Sequence, residues 1–172
     1  MPITVRPWNS YDLSGLIRYA DNPVIERWVD DGFPVPYTEE DGRRFIESTM
    51  VGKPRLILAI DLDGEAIGTI GLHRQHNIMR RNLEMGYWIG EPHWGKGYGT
   101  EAIRQMVIYG FKTFPNISRI YARPFGSNIG SQRVLEKAGF TLEARLENTI
   151  WKHERFEDEL IYAVRRPEDG RG

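Results

Sequence analysis

Three glycines at alternate positions, Gly95, Gly97 and Gly99, stand inside the segment Gly90-Glu91-Pro92-His93-Trp94-Gly95-Lys96-Gly97-Tyr98-Gly99-Thr100-Glu101-Ala102. Glycine adopts backbone conformations closed to other residues and lets main chain approach a ligand closely. Leu83 to Gly90 reads as a strand before this segment. Ala102, Ile103, Met106, Val107 and Phe111 recur after it at helical spacing. The glycines therefore mark a strand-to-helix junction. The first turn of a helix carries N–H groups without intrahelical acceptors and a partial positive charge, so phosphate binds there without cationic side chains. The predicted chemistry is a grip on a diphosphate by the main chain of Trp94, Gly95, Lys96, Gly97, Tyr98, Gly99 and Thr100.

Two other glycine motifs fit less well. A dinucleotide fingerprint needs glycine at position 100, where threonine stands, and belongs to an early strand rather than one past mid-chain. A Walker loop needs Gly-Lys-Ser/Thr after a longer gap, and none is present. A glycine-rich connector that binds nothing, or a different nucleotide site, stays open on spacing alone.

The flanking elements follow from periodicity and turn chemistry. Ile3 to Pro7 alternates as a first strand; Ser10 is expected as a helix cap ahead of Leu13, Leu16, Ile17 and Ala20. Asn22-Pro23 stops that helix, a short helical piece is expected near Val24 to Trp28, and Asp30 to Tyr37 is a loop. Thr38 with Asp41 predicts a capped helix through Met50. Arg55 to Ile60 and Glu65 to His73 form a hairpin about Asp63-Gly64. His76 to Asn82 reads as a loop. Ser118 to Arg123 is a strand, Asn128 to Ala138 a helix ended by Gly139, and Phe140 to Asn148 and Asp158 to Val164 are two last strands. A long connection holding Trp151, His153 and Phe156 is expected between them. The order predicts an α/β protein, an α+β mixed sheet of about seven strands with four helices.

With 172 residues, 40% apolar and 27% charged, the chain is expected to be one globular domain over residues 1–172, with a polar tail from about 166 that frays. The absence of cysteine excludes disulfides, cysteine zinc sites and a cysteine nucleophile. A net charge of −1 argues against extensive nucleic-acid binding. No run approaches a membrane span of about 20 apolar residues, and no leader signature is read, so the expected compartment is the cytoplasm. His73 and His76 lack a third ligand, so no metal is expected. Arg74, Arg80 and Arg81 read as a solvated basic turn. Trp151 and Phe156, as exposed aromatics, suit an interface such as that of a homodimer.

The glycine segment resembles the acetyl-CoA-binding signature of the GNAT N-acetyltransferase superfamily, Gln/Arg-x-x-Gly-x-Gly/Ala, with Gly97 and Gly99 on the two small positions. Trp94 departs from the usual Gln/Arg. A second block, Asn128-Ile129-Gly130-Ser131-Gln132-Arg133-Val134-Leu135-Glu136-Lys137-Ala138-Gly139-Phe140, is similar to the Asn-x-x-Ser…Glu-Lys-x-Gly-Phe element of the branch that acetylates ribosomal-protein N-termini, the RimJ/RimL-like enzymes. Leu83 to Ile89 and Asp158 to Tyr162 resemble the same branch, as does the element order.

The resemblance implies a centrally splayed sheet, acetyl-CoA as co-substrate and transfer to an amine, with a protein N-terminus as acceptor. A small amine, such as a polyamine or aminoglycoside, or a non-catalytic acetyl-CoA-binding module, are its alternatives. Main-chain groups of the splayed strand would hold pantetheine and the thioester oxygen; by position these are Trp88 and Ile89. Alternation puts Glu84, Gly86 and Trp88 on one face of that strand. Glu84 is the expected general base and also touches substrate; a paired structural carboxylate is the other reading. Asn128 and Ser131 would contact the cofactor, Ser131 also relaying a proton to sulfur, although both residue types also cap helices. Leu135 stands where many relatives place a tyrosine acid, so that acid is missing. Lys137 reads as a solvated helix lysine that could reach the adenosine phosphates. Trp28 and Phe33, with Tyr37 and the acids Asp30, Asp31, Glu39, Glu40 and Asp41, would frame the acceptor entrance; for Glu39 to Asp41 a capped helix start is preferred.

Overall fold

Asp63 and Gly64, at φ 53° and 90°, reverse the chain between strands β2 (Ile57–Leu62) and β3 (Glu65–Arg74), as their residue types predict. In the computed structural model, which describes residues 2–167, this hairpin belongs to a seven-stranded mixed sheet. The other strands are β1 (Ile3–Pro7), β4 (Asn82–Ile89), β5 (Arg119–Ala122), β6 (Thr141–Lys152) and β7 (Arg155–Arg165). Their order is β1-β2-β3-β4-β5-β7-β6, and every neighbouring pair is antiparallel except β4 with β5.

Five α-helices cover the sheet: α1 (Leu13–Ala20), α2 (Pro23–Glu26), α3 (Glu39–Thr49), α4 (Tyr98–Thr113) and α5 (Ile129–Lys137). Four are of ordinary length, and α2 is a single turn after the Asn22-Pro23 break. Thr38 and Asp41 close a reciprocal capping box on α3, so Asp41 serves the helix start. Asn9, rather than the expected Ser10, caps the turn before α1, because Asp12 reaches back to the Asn9 N–H. Ile103 and Met106 of α4 and Leu135 of α5 share one buried cluster with Ile70, Leu72, Leu83 and Met85. Leu16, Ala20, Ile46, Ala59 and Ala66 form a second cluster, with α1 and α3. Among the described residues no helix is long and apolar enough to cross a membrane.

The expected long connection between the last strands is a tight turn. β6 and β7 run to His153 and Glu154, which take φ values of 49° and 58°, and Trp151 pairs with Phe156 inside the ladder. Neither residue type announces a left-handed turn, and each such position costs about 1–2 kcal/mol outside glycine. Tertiary contacts offset this. Lys152, buried, bonds Glu26 at 2.7 Å and the Val29 carbonyl at 2.8 Å, and His153 meets Glu26 at 2.9 Å. The hairpin tip is thereby tied to the chain after α2. At the other end, Arg166 of the expected frayed tail donates to the carbonyls of Phe111, Phe114 and Ile117. Residues 168–172 of that tail lie outside the described residues.

A buried ionic network joins β1, β2 and the turn before α1. Arg6 bonds both oxygens of Asp12 at 2.8 Å and Asp61 at 2.7 Å, and both carboxylates are nearly inaccessible. Removing the cation strands two buried anions. Arg6→Met should lower unfolding free energy by about 3–5 kcal/mol in denaturant titration; a loss below about 1 kcal/mol, as for a surface pair, would contradict the assignment. At the hairpin tip, the hydrogen bond from Lys152 holds the Glu26 carboxyl below its usual 4.5. A depressed folded-state value contributes stability above pH 4.5 that is lost as pH falls through the folded value. Glu26→Gln should therefore flatten the acid side of a Tm-against-pH curve; an unchanged acid slope would count against the pair.

Candidate active site

β4 and β5 pair only from Asn82 to Glu84 against Arg119 to Tyr121. Beyond Glu84 they part, leaving Gly86 to Ile89 without a partner on that side. Each strand is held away from the gap by its outer neighbour. On the β4 side, the Gly90 N–H donates to Ile67 O at 2.8 Å, continuing the β3 ladder. After β5, Pro124 has no N–H to offer, its carbonyl accepts from Leu160, and Gly126 N–H donates to Asp158 O. The gap opens on a cleft of about 1090 Å³ that also reaches the glycine segment and the start of α5.

The glycine segment leaves a row of N–H groups without acceptors. Gly95 and Gly97 take φ of 72° and 83°, and Gly97 is the left-handed residue at the mouth of α4. Gly99 has a different role: a Cβ there would lie 3.2 Å from Val134 Cγ1 and 3.5 Å from Ile89 Cδ1, so its absence lets α4 approach α5 and β4. The first main-chain bond of the helix runs from Glu101 N–H to Gly97 O at 3.1 Å, and no side chain caps this end. Among the described residues, no group accepts a hydrogen bond from the N–H of Gly95, Lys96, Gly97, Tyr98, Gly99 or Thr100. Trp94 is spent differently, since its indole N–H donates to Ile89 O at 2.7 Å. Arg133 and Lys137, one turn apart on α5, line the same cleft; Arg133 was not anticipated, although its i,i+4 relation to Lys137 is visible in the sequence.

Main-chain direction on β4 corrects one expectation. Gly90 bonds to β3, so alternate residues Trp88, Gly86 and Glu84 also turn their main-chain groups to β3. The Trp88 carbonyl lies only 2.3 Å from where a Cβ on Gly68 would sit, which places it on the β3 side. The groups facing the gap belong to Tyr87 and Ile89, not Trp88 and Ile89, and the Ile89 carbonyl is already taken by Trp94. The Trp88 side chain still lines the cleft.

Glu84 stands at the last paired position, half-buried and lining the cleft. It accepts from Tyr121 Oη at 3.3 Å, and Arg123 lies 3.8 Å away. Arg123 belongs chiefly to buried Glu159, to which it donates twice at 2.6 and 3.1 Å. Both readings of Glu84 thus coexist: it is partnered, yet loosely, and keeps access to the cleft. Ser131 Oγ lies 2.6 Å from Tyr87 Oη. Burial pushes the Tyr87 phenol up to about 12, so it stays protonated at neutral pH. Asn128 caps α5 by accepting the Ser131 N–H at 3.1 Å. Leu135, at the expected position of a tyrosine acid, is fully buried in the core. Tyr87, Tyr121 and Arg123 were not anticipated, because their partners are distant in sequence.

Trp28 and Phe33 diverge. Trp28 packs edge-on to Phe125 with centroids 5.9 Å apart and lines the cleft. Phe33 meets Tyr37 and Trp88 at a smaller cavity on the other side of β4. Among the described residues no group of three His, Cys, Asp or Glu is placed to hold a metal.

Residues 3–141 match the family described as acetyltransferase (GNAT) domain. The chain is 37% identical over 105 residues to the uncharacterized N-acetyltransferase YoaA of Bacillus subtilis, a match covering 61% of this chain and 58% of that protein. It thus spans under three fifths of that relative's length. The ribosomal-protein-serine acetyltransferase of Escherichia coli is 26% identical over 95% of this chain and 97% of its own. Among solved structures, Mycobacterium smegmatis RimJ in complex with CoA-disulfide superposes with a TM-score of 0.79 at 25% identity, covering 95% of this chain and 81% of that one.

Proposed function

The chain belongs to the GNAT acetyltransferase family, and on that premise we propose that it moves an acetyl group from acetyl-coenzyme A to a primary amine by direct attack. One observation carries this reading: the unaccepted N–H groups of residues 95–100 open on the same gap as Glu84. Acetyl-coenzyme A, when bound, supplies an activated acyl thioester and a thiolate leaving group. The glycine segment holds its pyrophosphate, and Arg133 and Lys137 stand where a further phosphate would reach the cleft edge. The Ile89 N–H and the Tyr87 main chain point toward the pantetheine arm and thioester. Amides held rigidly there lower the barrier because they need no reorganisation during reaction.

An amine attacks only after losing a proton. Glu84 accepts it, directly or through one water, from an acceptor entering beside Gly86. The thiolate takes a proton from the other side. Tyr87 is kept protonated by burial; the 2.6 Å contact allows either hydroxyl to donate, and with Tyr87 as donor to Ser131 Oγ the serine's own hydrogen is free for sulfur. Bulk water then restores the serine. The pair takes the role of an acid that Leu135, buried in the core, cannot supply. Asn128 fixes Ser131 at the first turn of α5 and offers its amide N–H to the cofactor. A protein N-terminus is the favoured acceptor, supported by likeness to the E. coli ribosomal-protein enzyme over nearly the whole chain.

Two variants test cradle and base separately. Gly97→Ala forces a side chain into a left-handed position, costing about 1–2 kcal/mol of stability, and should weaken coenzyme A binding about tenfold or more in calorimetry. Affinity within twofold of the parent would remove the cradle from the site. Glu84→Gln should keep coenzyme A affinity while lowering kcat by about 10²–10⁴ in a thiol-release assay with a panel of amines. Full turnover in that variant would discard the base, and binding with no turnover in the parent chain would point to a non-catalytic module.

A further inference from the structure

The second cavity, of about 360 Å³, lies across β4 from the cofactor cleft and shares Val29, Asp30, Gly86, Tyr87 and Trp88 with it. The two spaces therefore meet at the strand gap. Phe33, Tyr37, Phe45 and Trp88 wall the smaller one. Its floor is the cross-strand pair Gly71 and Gly86, where neither strand offers a side chain. Gly86 is exposed, and a Cβ on it would meet nothing closer than His73 Nε2 at 3.9 Å, so the space above it is open. The volume is at the small end of the roughly 300–1,000 Å³ of ligand sites, enough for one bulky group and not for a long chain.

Charge narrows the occupant further. No lysine or arginine lines this cavity, and its two carboxylates are Asp30 and Asp41. Asp41 is spent on the cap of α3. The Asp30 carboxylate accepts only from Gly32 N–H, through Oδ1, among the described residues, leaving its charge at the rim where both cavities meet. An ammonium is drawn to that rim, whereas a phosphate or carboxylate on the acceptor finds no lysine or arginine, only the imidazole of His73 beside the glycine floor.

Resting on the transferase reading above, we propose that the acceptor is a cationic primary amine whose own substituent is aromatic or branched apolar. The substituent fills the cage over Gly71 and Gly86, and the amine lies at the gap near Asp30 and Glu84. If the acceptor is a protein N-terminus, its first residue is of the phenylalanine or leucine kind rather than serine. Aromatic walls suit such a group by edge and face contacts, and an added apolar group in a fitted pocket is worth about 10- to 200-fold in specificity.

The test compares glycinamide, serinamide, leucinamide and phenylalaninamide, by thiol release from acetyl-coenzyme A and by calorimetric binding. Phenylalaninamide and leucinamide should exceed serinamide about tenfold or more in kcat/KM. Gly86→Leu should erase that preference while coenzyme A still binds, and Phe33→Ala, on a surface loop, should weaken it without burdening the strand. Serinamide performing as well as phenylalaninamide, or Gly86→Leu lowering all amines alike, would overturn the proposal. Should no amine release thiol, the transferase reading fails by itself. The cage then stands or falls on whether phenylalaninamide binds the parent chain and not Gly86→Leu.

Discussion

The parting of β4 from β5 after Glu84 is the constraint on which the site depends. A continuous parallel ladder would have consumed the main-chain groups of Tyr87 and Ile89 and closed the cleft. It is prevented from both sides. β4 remains in register with β3 as far as the Gly90 bond to Ile67, while Pro124 and Gly126 follow β7. A buried main chain without partners is costly, so this opening persists because it faces a solvated cleft that a ligand with acceptors and donors of its own can fill.

The same logic governs the mouth of α4. Helix starts are usually satisfied by a side-chain cap, and α3 shows that arrangement with Thr38 and Asp41. α4 has glycine in the capping position instead, and its first N–H groups are left to whatever enters the cleft. The two helices of one chain thus display the alternatives: one terminus closed by its own residues, the other kept open. The open terminus, the strand gap and Glu84 meet in a single cleft, and the smaller aromatic cavity reaches it at Gly86, a strand position without a side chain.

Much of this was legible because it is local. The alternating glycines, the Thr38–Asp41 cap and the Asp63-Gly64 turn involve residues within a few positions of one another, and their backbone requirements are written in residue type. Side-chain parity on β4 was legible for the same reason. Main-chain direction was not, since it depends on which partner bonds Gly90, and that exchanged Trp88 for Tyr87 as a group facing the gap. The turn at His153 and Glu154 was hidden because its left-handed backbone is maintained by contacts with Glu26 and Val29, more than a hundred residues away. The contacts of Ser131 with Tyr87 and of Glu84 with Tyr121 and Arg123 are equally products of folding, joining residues 44, 37 and 39 positions apart.

The most direct test observes the amides themselves. In a 15N-labelled sample titrated with acetyl-coenzyme A, the N–H resonances of residues 95–100 should move furthest and saturate together, with Tyr87 and Ile89 following and α1 and α3 little affected. Saturable binding that left the resonances of residues 95–100 in place, or no binding at all, would contradict the assignment of this helix mouth as the diphosphate site.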